Sequence, residues 1–268
     1  MELNRTGLAF TSAVSWKINW GQICIGAGLL LVTVLAWWYL LHLARGMEST
    51  STMDAMGPIA RPWGATDLGF TFVMWTVMMV GMMLPSAAPM VMVFATIHRK
   101  RGERGESYAP TGLFVLGYLI AWTGFSAAAT LTQWGLQAVV LLSPMGIGTS
   151  PWLGASLLIV AGMYQWTPLK FACLAKCRSP LGFLITEWRD GAHGALLMGL
   201  RHGVFCTGCC WALMVLLFVG GVMNLLWVAV IAGFVFVEKM IPAGELVAKL
   251  TGVALAGAGV WMMVSAVN

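Results

Sequence analysis

The stretch "MWTVMMVGMMLPSAAPMVM", residues 74–92, carries no charged side chain and is followed within a few residues by "HRKR" at 98–101. Nineteen helical residues at 1.5 Å each cover about 29 Å, close to the hydrocarbon thickness of a bilayer. The run reads as a membrane span that stops at a cluster of positive charge. That reading organises the rest of the chain.

Of the 268 residues, 59% are hydrophobic and 9% are charged, and the mean hydropathy is +0.84. A soluble domain carries about a quarter charged residues, so this chain has too little polar surface to cover a water-soluble fold. The fold class is therefore all-α, a polytopic transmembrane helical bundle with a cytoplasmic N-terminus. Spans are placed near 22–44, 68–97, 111–141, 152–172, 195–221, 224–240 and 246–266, as a single membrane-embedded domain over 1–268. Six spans is the runner-up count, because the boundary at "GGVMN" (220–224) is poorly marked. The opening residues lack a cleavable signal pattern, and no internal repeat stands out.

Positive charge tests this map independently, since cytoplasmic loops carry the excess of Lys and Arg. One side holds Arg5, Lys17, Arg99, Lys100, Arg101, Arg104, Lys170, Lys176, Arg178, Arg189, Arg201, Lys239 and Lys249; only Arg45 and Arg61 fall on the other. The expected location is a bacterial inner membrane, multi-pass, with lipid as the surrounding partner. Loop charge accounts for the net +5, so no nucleic-acid partner is implied.

Five cysteines and a histidine gather on the cytoplasmic side of this map. "CLAKC" puts Cys173 and Cys177 one helical turn apart at the end of the fourth span. "HGVFCTGCCW", residues 202–211, sets His202, Cys206 and Cys209 on one stripe of the fifth, with Cys210 turned about 100° from Cys209. Thiolate and imidazole are the donors preferred by soft and borderline metals, with Cu(I) ahead of Zn(II). Cysteine as a small buried hydrophobe remains the plain alternative, above all for the isolated Cys24. A standing disulfide is not expected on a reducing side. His98 and His193 lie beside charged loops and are expected to be solvated.

The 74–92 run adds thioethers. Met78, Met79, Met82, Met83 and Met90 share a broad face with Ser86, while Val77, Val80, Leu84 and Val91 fall opposite and read as the lipid side. Pro85 and Pro89 free backbone carbonyls that neighbouring groups must satisfy. Met78, Met79, Met82 and Met83 are candidate transit contacts for a soft cation; methionine packing beside a proline kink is the alternative. In "MYQWTP" (163–168), Tyr164 and Gln165 need partners inside the bundle and are candidates to support the thiols from behind, with Pro168 bending the helix. Glu238 reads as an interfacial partner for Lys239.

Taken together, "MVGMMLPSAAPM", "YQWTPLKFACLAKCRSP" and "HGVFCTGCCWALM" with "GGVMNLLW" and "EK" resemble a bacterial family of predicted metal-binding integral membrane proteins, over roughly residues 67 to 240. The resemblance implies a helical membrane protein with a metal site at these cysteine and histidine positions. It brings no established substrate or reaction.

The reading is thus a membrane protein that binds a soft transition metal, Cu(I) first and zinc second, for transport or for delivery to a copper enzyme. A metallochaperone or copper-enzyme subunits would be its partners. A subunit or assembly factor of a copper-dependent membrane complex is one alternative, and a membrane thiol oxidoreductase another. No catalytic residues are assigned, because no triad spacing, paired carboxylates or phosphate-cradling loop stands out.

Overall fold

The computed structural model describes residues 20–51, 63–103, 109–143 and 148–267. Arg5, Lys17, Arg61 and Arg104, four of the charges used to orient the chain, lie outside the described residues. Ten α-helices and no strand occur among the described residues: α1 (Trp20–Ser51), α2 (Ala65–Gly102), α3 (Thr111–Ala138), α4 (Pro151–Tyr164), α5 (Pro168–Arg178), α6 (Pro180–Glu187), α7 (Gly191–Val215), α8 (Leu217–Gly220), α9 (Leu225–Met240) and α10 (Gly244–Val267). The chain is an all-α polytopic helical bundle, as the apolar runs require.

Five stretches are long and apolar enough to cross a bilayer: Trp20–Gly46, Ala65–Gly102, Thr111–Ala138, Gly191–Gly220 and Gly244–Val267. The sixth, α4 with α5, is bent by 66°. Pro168 offers no N–H to continue the ladder, and Thr167 caps the new helix by accepting from the Lys170 backbone N–H at 3.3 Å. The span expected at 152–172 is therefore broken where Pro168 was expected to bend it. The expected span at 224–240 is α9, whose 16 residues rise only about 24 Å.

α3 and α7 form the most extensive helix pair, with α4 on α10 and α1 on α2 next. Small residues set these distances. A Cβ on Gly117 of α3 would run into the backbone of Leu196 and Leu200 on α7, and one on Gly199 into the backbone of Phe114. Only hydrogen fits there, which lets two backbones touch without a hydrophobic driving force.

α2 lies at the centre, packed on α1, α3, α6 and α9. This corrects the expected lipid face. Leu84 and Val91 are buried like the methionines, and Val77 and Val80 are only half-exposed, because α1 covers the side that lipid was to cover. Pro85 withholds the N–H that would bond Gly81, and the Trp37 indole of α1 donates to that carbonyl instead, at 3.2 Å. The freed carbonyl is satisfied by a neighbouring helix.

Candidate metal centre

The site is built on α7. His202, Cys206 and Cys210 follow at i, i+4 and i+8, a 40° drift per step, so all three lie on the inward face. All are buried, as is Cys209. Cys210, expected to point away, is thus part of the group. The Cys209 and Cys210 thiols both donate to the Cys206 carbonyl, at 3.0 and 3.1 Å, which holds their sulfurs close to the helix.

α2 and α3 close over this face. Tyr118 places its hydroxyl 3.2 Å from Cys206 Sγ and 3.1 Å from the Met83 carbonyl, to which it donates. The same carbonyl accepts from Ser86 Oγ at 2.9 Å. Cys210 Sγ lies 3.9 Å from Met83 Sδ. Met78, Met79, Met82 and Met83 are each buried to 2% exposure or less and belong to the same apolar core as the thiols. The methionines expected to face inward are buried, as are Leu84 and Val91 on the other side of α2.

α5 brings the second pair of cysteines. The Cys177 thiol interacts with those of Cys206 and Cys209. Cys173 packs against α7 where Gly208 leaves room; a Cβ there would stand 2.8 Å from Cys173 Sγ. Tyr164 at the end of α4 donates to the Gly208 carbonyl at 2.5 Å and sets its ring edge-on to Trp211, 5.1 Å between centroids. Tyr164 thereby braces the α7 turn that carries Cys206, Cys209 and Cys210. Gln165 is fully buried, and neither end of its amide has a hydrogen-bond partner among the described residues.

His202 sits beside this network. Its ring stacks on Tyr118 and Phe114, at 5.7 and 6.0 Å, and meets Phe183 edge-on at 5.3 Å. Its Nδ1 is buried without a hydrogen-bond partner among the described residues. His98, expected in solvent, is instead 1% exposed, stacked on Trp188 at 4.9 Å and tilted against Phe94 at 4.4 Å. The last turn of α2 is covered by the segment after α6, so a histidine next to a charged run is nonetheless enclosed. His193 and Cys24 are exposed, the latter on the outer helix α1.

Two lysines counted among the loop charges are internal. Lys170 on α5 pairs with Glu238 on α9 at 2.6 Å, and neither side chain is more than 1% exposed. Glu238 therefore does not pair with Lys239. Lys239 turns the other way, placing Nζ 2.9 Å from Cys206 Sγ and 3.0 Å from Ser86 Oγ. Lys239 and Tyr118 are the contacts that sequence reasoning missed. The available signal was a lysine ending an apolar helix whose one acidic neighbour is claimed elsewhere.

The candidate donors are sulfur: Cys177, Cys206, Cys209 and Cys210, with Cys173 behind and the Met83 thioether beside them. All six cysteines are free thiols. Sulfur donors of this kind match a soft monovalent cation. Among the described residues no three His, Cys, Asp or Glu side chains stand ready as a metal cage. Cys209 and Cys210 donate to the Cys206 carbonyl, and Cys206 faces Lys239 and Tyr118. The thiols are gathered, but each is engaged.

No curated protein and no solved structure matches the chain. One family does: its sequence model, PpoB2, described as a copper chaperone, matches residues 72–262 and so takes in every thiol and thioether of the cluster. By that match, which spans more than half of the 268 residues, the chain belongs to the PpoB2 copper chaperone family.

Proposed function

We propose that this protein is a membrane-embedded copper carrier that takes Cu(I) onto the sulfur cluster of α5 and α7 and releases it to a copper enzyme or onward across the membrane. The observation that carries the reading is the convergence of Cys177, Cys206, Cys209 and Cys210 with Met83 in the buried centre of a bundle, in a chain of a copper chaperone family. Cys210 and Met83 are 3.9 Å apart, a gap that two metal–sulfur bonds of about 2.3 Å can bridge.

Neutral thioethers hold a soft cation without a charge to neutralise, which suits transient holding rather than storage. Met78, Met79 and Met82 extend that surface along α2 as transit contacts, and His202 adjoins the thiols as a further donor. Tyr164 supports the site from behind. The apolar spans support a multi-pass protein, and the charge bias supports an inner membrane with the thiols nearer the cytoplasm. Its partners are then lipid, a copper donor and a copper-enzyme acceptor, and the protein acts as a carrier rather than as an enzyme. Nothing here favours zinc.

Protein purified in detergent from copper-replete cells should contain copper by elemental analysis, and should yield it as Cu(I) to a competing chelator. A preparation that takes up no Cu(I) under reducing conditions contradicts the reading.

A further inference from the structure

The sulfur cluster has a lysine built into it. Lys239 Nζ touches Cys206 Sγ and Ser86 Oγ, and only 6% of the residue is exposed, so the side chain does not snorkel to water. Its sequence neighbour offers no counter-charge, because Glu238 is held by Lys170. An ammonium carries three N–H donors and no free lone pair, so it contributes charge to the cluster and no metal bond.

We infer that Lys239 is a specificity-determining residue, one that makes the cluster select a monovalent soft cation over a divalent one. The inference rests on the reading that the cluster binds metal. It follows from charge balance in a site of low dielectric. Each coordinating thiol releases its proton to solvent. A monovalent ion on two thiolates leaves a net charge of minus one, which the ammonium brings to zero. A divalent ion on the same two thiolates is already neutral, and the ammonium then leaves one uncompensated positive charge in the bundle. Buried net charge is disfavoured far more strongly than in water. A divalent ion can regain neutrality only by recruiting a third thiolate. Each further thiol recruited from α7 costs another thiol-to-carbonyl bond of the kind Cys209 and Cys210 make to Cys206, and a divalent ion must break one more of them than a monovalent ion.

The test uses full-length protein in detergent, stripped of metal, with Cu(I) and Cd(II) each titrated against a chromophoric chelator. Wild type is compared with Lys239→Met and Lys239→Arg. The Met variant should lose Cu(I) affinity by at least about tenfold and gain Cd(II) affinity, as expected for removing a unit charge at contact distance. The Arg variant should keep the wild-type preference. A folded Met variant whose two affinities stay put, or fall together by one factor, overturns the inference. Should the Met variant fail to fold, an Arg variant that loses the Cu(I) preference overturns it equally. Wild-type protein that binds Cd(II) but no Cu(I) overturns the copper reading as well, which separates the two failures.

Discussion

Cys210 Sγ and Met83 Sδ stand 3.9 Å apart across the contact between α7 and α2. This joins the cysteine run of one helix to the methionine run of another, two features separated by more than a hundred residues. If the thioether is a donor, Met83→Leu should weaken Cu(I) binding by about tenfold or more while costing under about 1.5 kcal/mol of stability, as volume-conserving swaps usually do. Met198→Leu is the control, because Met198 lies in the separate apolar cluster around Phe94 and Phe114. Equal Cu(I) affinities in the two variants, by chelator competition, would reduce Met83 to packing.

Lys170 and Glu238 should behave as a buried ion pair. Removing one partner leaves an uncompensated charge, so Glu238→Gln alone is expected to cost about 3–5 kcal/mol. Replacing both, as Lys170→Met with Glu238→Leu, should recover most of that loss. Thermal unfolding in detergent reads both effects. A double variant as unstable as the single one would show that the pair does more than neutralise itself.

The α3–α7 contact predicts a coupling between packing and metal binding. Gly199→Ala sets a methyl against the Phe114 backbone and should destabilise by about 1–3 kcal/mol, as overpacking does. It should also move Tyr118 off Cys206 and so change Cu(I) affinity. Gly28→Ala, in open space on α1, should change neither. A stable Gly199→Ala protein with wild-type binding would mean that α3 does not position the thiols.

Much of this architecture was legible in the chain. Apolar runs of bilayer length and their flanking charges mark the helices, and the spacing of His202, Cys206 and Cys209 marks a stripe, though not that Cys210 is buried beside them. The proline rule foretold both the break at Pro168 and the need to satisfy a freed carbonyl, though not that Trp37 would do so. The errors have one cause. A helical pattern identifies an inward face only if one face meets lipid, and α2 is surrounded, so Leu84 and Val91 gave no warning. Likewise a lysine near a helix end reads as a loop charge until its depth is known. Lys170 and Lys239 count as inner-side charges on that ground and His98, beside a charged run, as solvated, yet all three are buried.

The central claim is that α5 and α7 hold one Cu(I) site between them. Cys177 interacts with Cys206 and Cys209, and Cys173 abuts Gly208. The direct measurement is a Cu(I) titration of Cys173→Ser/Cys177→Ser, of Cys206→Ser/Cys209→Ser and of the quadruple variant, all in reducing detergent solution. The account predicts that either pair removes most of the high-affinity binding and that the quadruple variant loses little more, because the sulfurs act as one unit. Two independent halves, each lost with its own pair, or full occupancy in the quadruple variant, would contradict it.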